Sequence, residues 1–131
     1  MITGVKLQVF VTENEARLLG TPSAFSTVSR AIRKCKVGTS IHLPLESSRS
    51  PFTSLEIRCT AGSAVVAVMD GTLLVAYPEK LRRRLSPYFA MPAETPSGST
   101  FFINASQIDV LHDLTGESLQ MILQVVGPDQ V

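Results

Sequence analysis

The sequence predicts an α+β chain built as a tandem β-β-α-β-β duplication. Three observations carry this. Short stretches alternate apolar and polar residues, as half-buried strands do. Two longer stretches, each opened by a proline, carry helical spacing instead. The order of these elements runs through the chain twice, over about residues 5–60 and 64–127.

The first pass begins with residues 5–11, VKLQVFV, an alternating strand. Residues 16–20, ARLLG, follow as a second strand. TPSAFSTVSRAIRKCKVG is helical: Thr21 can cap it, Pro22 suits the first turn, and Gly38 can end it. TSIHLPL and TSLEIRCT are two further strands, joined by the turn-rich ESSRSPF.

The second pass begins with AVVAVM and TLLVAY around Asp70-Gly71. That dipeptide is a hairpin signal, because both turn positions need positive φ. PEKLRRRLSPYFAM is the second helix, STFFINA the next strand and ESLQMILQVV the last. Overlaid, Leu18-Leu19 falls on Leu74-Val75, Pro22 on Pro78, and Ser54-Leu55 on Ser118-Leu119. The length difference sits in loops, where insertion costs little.

One face of the first helix carries Val28, Ala31, Ile32 and Cys35; one face of the second carries Leu81, Leu85, Tyr88 and Phe89. Leu55, Ile57 and Cys59 share a strand face. The expected architecture is one domain, residues 1–131, with pseudo-twofold symmetry: a largely antiparallel sheet, continuous or split in two, with both helices on one side. Only TAGS joins the halves, so the strands flanking it are expected to pair as a hairpin. Cys35 and Cys59 are expected in one small core. Buried reduced thiols are the ordinary reading and a disulfide the alternative.

Composition sets limits on function. Apolar residues make up 44% and charged residues 18%, which allows a real core, and the net charge of +1 names no partner. The N-terminus lacks the pattern of a signal peptide, and no apolar run approaches a membrane span, so a cytoplasmic protein is expected. Charge is nevertheless segregated. Arg30, Arg33, Lys34, Lys36, Lys80, Arg82, Arg83 and Arg84 lie in or beside the two helices, while residues 101–131 hold no Lys or Arg at all.

With Leu81, Leu85 and Tyr88 inward, Arg82, Arg83 and Arg84 are expected to point away from the core. A solvated face explains them without function. A shared basic surface for an acidic protein partner, with Arg30, Arg33, Arg82, Arg83 and Arg84 as contacts, is the functional reading. Nucleic acid is disfavoured: aromatics are 6%, and none interleaves with the cations for base stacking.

No nucleophile elbow, phosphate loop, dinucleotide fingerprint, HExxH or paired CxxC is present, so an enzyme is not expected. His42 alternates with Ile41 and Leu43 and should face away from them. Asp109, His112 and Asp113 could hold a metal only if their loop curls suitably; an acidic wet loop is the plainer reading. No cofactor or metal is expected.

The run LLVAYPEKLRRRL, then STFFINA, then ESLQMILQV resembles the layout of small immunity proteins of bacterial polymorphic toxin systems. Those place a strand, a helix led by Pro/Asp-Glu-x-Leu, a short alternating strand and a final strand opening with Ser-Leu. This chain departs from that layout: STFFINA has no histidines, and Pro87 cuts the helix. The resemblance covers the second half and implies a bacterial, non-enzymatic protein that binds a toxin domain and blocks it. It transfers no residue roles. The loops ESSRSPF and PAETPSGST are alternative contact surfaces. Two other functions stay open: homo-oligomeric assembly through a sheet edge or exposed sheet face, and an unrecognised ligand or catalytic site between helix and sheet.

Overall fold

A computed structural model describes residues 4–12, 15–46, 51–62, 65–103 and 120–131. The first half contains β1 (Leu7–Val11), β2 (Glu15–Gly20), α1 (Pro22–Lys34), β3 (Ser40–Pro44) and β4 (Ser54–Thr60). The second contains β5 (Val65–Met69), β6 (Thr72–Pro78), α2 (Arg82–Phe89), β7 (Thr100–Ile103) and β8 (Gln120–Val125). The duplicated order of elements is thus present. The fold is α+β.

The strands form two sheets of four, ordered β1-β2-β8-β7 and β3-β4-β6-β5. Within each half, β1 pairs with β2, β3 with β4, β5 with β6 and β7 with β8, all antiparallel. The halves then exchange hairpins. β2 pairs parallel with β8, and β4 parallel with β6. Each sheet therefore takes one hairpin from each half. The expected hairpin across TAGS does not form, because β6 lies between β4 and β5. A short link limits how far apart two strand ends lie; it does not decide which strand fills the space between them.

The two parallel ladders superpose pair on pair. Leu18 opposite Leu123 in one sheet corresponds to Val75 opposite Ile57 in the other. All four are buried in one core. The sequence overlay put Leu18 on Leu74 instead. Leu74 stands outside the core cluster, on the other face of β6. A one-residue slip flips every side chain of a strand, so the true correspondence lies one residue further on.

Local chemistry explains the elements. Asp70 (φ 41°) and Gly71 (φ 79°) both take positive φ in the β5–β6 turn. Thr21 caps α1 by accepting from the Ala24 N–H at 3.2 Å, with Pro22 in the first turn. The helix stops before Gly38, since Cys35 turns to extended backbone (ψ 127°). Val37 then bridges to Cys59, and the Gly38 N–H bonds the Cys59 carbonyl at 2.9 Å. α2 starts after a 3-10 turn over Glu79–Leu81 and continues through Pro87 to Phe89. Pro87 forfeits one helical hydrogen bond near the end and does not stop the helix there.

One hydrophobic cluster joins the inner faces of both sheets to both helices. It includes Leu7, Leu18, Phe25, Ile32, Ile57, Tyr77, Leu85, Phe89 and Leu123. The two sheets also meet directly at their β1 and β3 edges. There the Val5 N–H bonds the Pro44 carbonyl at 2.9 Å, and the Glu46 N–H bonds the Val5 carbonyl at 2.8 Å.

Leu18→Ala is expected to cost about 2–5 kcal/mol, as for other fully buried leucines, with urea unfolding as the measurement. Leu19 sits on the opposite face of the same strand and is half-buried. Leu19→Ala is expected to cost clearly less. Equal losses would contradict the register.

Candidate functional site

The two helices lie side by side and run in opposite directions. Three contacts fix this. Ser26 Oγ donates to the Met91 carbonyl at 3.1 Å, Ser29 Oγ to the Ser86 carbonyl at 2.9 Å, and Arg82 Nη2 to the Cys35 carbonyl. Ser29 and Ser86 are both buried at the crossing. Their small side chains let the helices approach. The C-terminal end of α1 therefore meets the N-terminal end of α2.

That junction concentrates charge. Arg33 and Lys34 occupy the last turn of α1, with Lys36 just beyond; Lys80, Arg83 and Arg84 open the second helical stretch. All six are exposed. Arg33, Lys34, Lys36, Arg83 and Arg84 have no ion-pair partner among the described residues. Arg30 lies further back on α1 and bonds Thr27 Oγ1 at 3.1 Å.

Arg82 departs from expectation. Its side chain turns inward and is only 23% exposed. Besides the Cys35 carbonyl, it reaches Cys59 Sγ at 3.5 Å and Glu79 at 3.6 Å. The cause lies at the end of α1. Helix C-terminal carbonyls lack intrahelical donors and carry partial negative charge, so a guanidinium beside them is stabilised. Among three adjacent arginines only one can meet that end, and periodicity does not say which.

Around Arg82 the core is polar in small doses. Tyr77 donates its hydroxyl to the Ile32 carbonyl at 2.6 Å. Burial pushes the Tyr77 hydroxyl well above the usual tyrosine range; the nearby thiols of Cys35 and Cys59 push the same way, and Arg82 opposes them. Burial likewise raises the Cys59 thiol against the pull of Arg82. Both cysteines are buried and unbridged.

His42 faces away from Leu43, as the alternation implied, and its side chain is 57% exposed. It stands 3.7 Å from Glu56, which is buried and also accepts from Arg58 Nε at 2.8 Å. Sequence reading missed this cross-strand group, because its members meet only once β3 and β4 are in register. Asp109, His112 and Asp113 lie outside the described residues. Among the described residues no three potential metal ligands cluster. An open hollow of about 370 Å³ lies at the start of α1, between Lys6, Thr21, Ser23, Thr27 and Glu46; His42 does not line it.

No family model matches the chain, and no curated protein matches it. Among solved structures, it is similar to the crystal structure of Drosophila Suppressor of Fused, at 14% identity and a TM-score of 0.48. The match covers 95% of this chain and 27% of that one. No helix among the described residues is long and apolar enough to cross a membrane.

Two outcomes are expected. Arg82→Ala strands the Cys35 carbonyl and is expected to cost about 1–3 kcal/mol in urea unfolding. Arg83→Ala and Arg84→Ala are expected to stay within about 0.5 kcal/mol. The second concerns pH. The folded chain holds the Tyr77 proton where the unfolded chain releases it near pH 10. Stability from this source is full below about pH 10 and falls as pH rises above it. Tyr77→Phe is expected to flatten that alkaline slope in unfolding curves taken across the range.

Proposed function

We propose that the chain is a non-enzymatic protein-binding module whose helix pair receives an acidic protein surface. Its most concrete form is a bacterial, cytoplasmic immunity or inhibitor protein that covers a toxin or effector. The observation that carries the reading is the cluster of exposed cations where α1 ends and α2 begins, of which Arg33, Lys34, Lys36, Arg83 and Arg84 have no ion-pair partner among the described residues.

The physical case rests on how such a cluster behaves. Exposed like charges repel one another in the free chain, and an acidic partner relieves that repulsion as it docks. Complementary charge also speeds encounter and rejects wrong partners. The helix scaffold favours recognition, because Arg82 and the two serine contacts hold the helices in one relation. A single-stranded nucleic acid fits less well. Its bases need aromatic platforms among the cations, whereas the exposed Phe10 and Phe102 lie on the face of one sheet turned away from the helices.

Arg33→Glu, Arg83→Glu and Arg84→Glu together are the direct test, with Arg82 left intact because it supports the fold. The tagged chain is expected to retain a stoichiometric protein from nuclease-treated lysate of its native host. The triple variant is expected to bind it at least about tenfold more weakly and with less salt dependence. A partner held equally well by the variant, or binding that vanishes with nuclease, would contradict the reading.

A further inference from the structure

Along each sheet, directly opposed residues form a row that crosses all four strands. On the outer face of the first sheet, one row reads Phe10, Arg17, Ile122, Phe102. Phe10 is 38% exposed and Phe102 54%, while Ile122 between them is buried. Leu19 stands beside the row on the same face of β2. This face is turned away from α1 and α2, because the alternate residues Leu7, Val9, Leu18 and Leu123 point into the shared core.

The duplication provides an internal control. The equivalent row in the second sheet reads Ala67, Leu74, Glu56, His42. There the outer ends are a methyl group and an imidazole, and the middle is the Glu56 group with Arg58 and His42. One sheet faces outward with an internally satisfied ionic group across its middle and one exposed apolar side chain, Met69, on an edge strand. Its counterpart places a phenylalanine at each edge, where exposure gains the fold nothing.

The geometry points to this outer face, Phe10–Arg17–Ile122–Phe102, as the contact by which two copies of the chain pair face to face. The row is self-complementary. A twofold axis along the strands sets Phe10 of one copy against Phe102 of the other at both ends. The same axis brings Arg17 of one copy to the position of Ile122 in the other, at the already buried middle of the row. The charges on this face also suit a second copy better than a charged partner. Arg17 is already balanced by Glu15 at 3.7 Å and bonds Gln124 at 3.4 Å, so the row selects neither an acidic nor a basic surface. Pairing this way leaves the basic helix junctions of both copies open, so the contact is independent of the function proposed above.

The area indicates a weak dimer. With a phenylalanine side chain of about 200 Å², the exposed parts of Phe10 and Phe102 amount to roughly 180 Å² per copy. That is about a quarter of the ~800 Å² per partner of a standard interface. Leu19, Arg17, Gln124 and Thr100 supply the surrounding contact, and the sum falls at the small end.

Sedimentation velocity of the full chain across a concentration series tests this. The chain is expected to dimerise weakly, with a Kd of roughly 1–100 µM. Phe102→Ser, at a residue more than half exposed, is expected to weaken dimerisation at least about tenfold, and Phe10→Ser with Phe102→Ser to abolish it while thermal melting stays cooperative. His42→Ala on the equivalent row, and Arg83→Glu with Arg84→Glu, are expected to leave it unchanged. A wild-type chain that stays monomeric well above that range overturns the proposal. So does a dimer that survives Phe102→Ser, or one that His42→Ala or the arginine reversals abolish.

Discussion

Two parallel strand pairs hold this molecule together. β2 beside β8, and β4 beside β6, are the seams at which one half of the chain meets the other. A parallel pair cannot be closed by a tight turn, so its strands must arrive from separate parts of the chain. Here they arrive from opposite halves. Each half alone would hold two hairpins, each with an open edge that the other half fills. Isolated hairpins are marginal in water. Exchange converts four of them into two sheets over one core.

The rest of the arrangement follows from that exchange. Each helix links a hairpin in one sheet to a hairpin in the other, so both helices belong to the shared core and lie against each other. The twofold relation between halves sets them antiparallel and brings the end of α1 to the start of α2. Charge then sorts by solvation. One guanidinium satisfies the exposed carbonyl end of α1 and is drawn inward, while the neighbouring cations stay in water. The same arginine that joins the helices keeps the remaining basic side chains pointing outward from a fixed base.

Much of this was legible in the residues. Asp70-Gly71 announced its turn because positive φ at two successive positions restricts the choice of residue. Thr21-Pro22 announced the start of α1, and Val28, Ala31, Ile32 and Cys35 its buried face. The duplication showed through element order. Its register did not, because Leu18, Leu19, Leu74 and Val75 are all apolar, and hydrophobicity cannot say which of two neighbours faces in. Strand exchange was hidden for a related reason: backbone pairing between distant strands leaves no local mark.

At the helix junction the sequence showed that charge accumulates but not how it divides. Arg82, Arg83 and Arg84 are chemically identical, and only the location of the Cys35 carbonyl separates the first from the others. The aromatic row was invisible because Phe10 and Phe102 become neighbours of one face only through β2 and β8.

Native-state hydrogen exchange tests the intertwined fold most directly. If each sheet depends on a hairpin from each half, the slowest amides of β2, β4, β6 and β8 should all exchange with the free energy of global unfolding, and should respond together to denaturant. Two separate groups, with β2 and β4 opening at one free energy and β6 and β8 at another, would show halves that stand alone and would contradict the account.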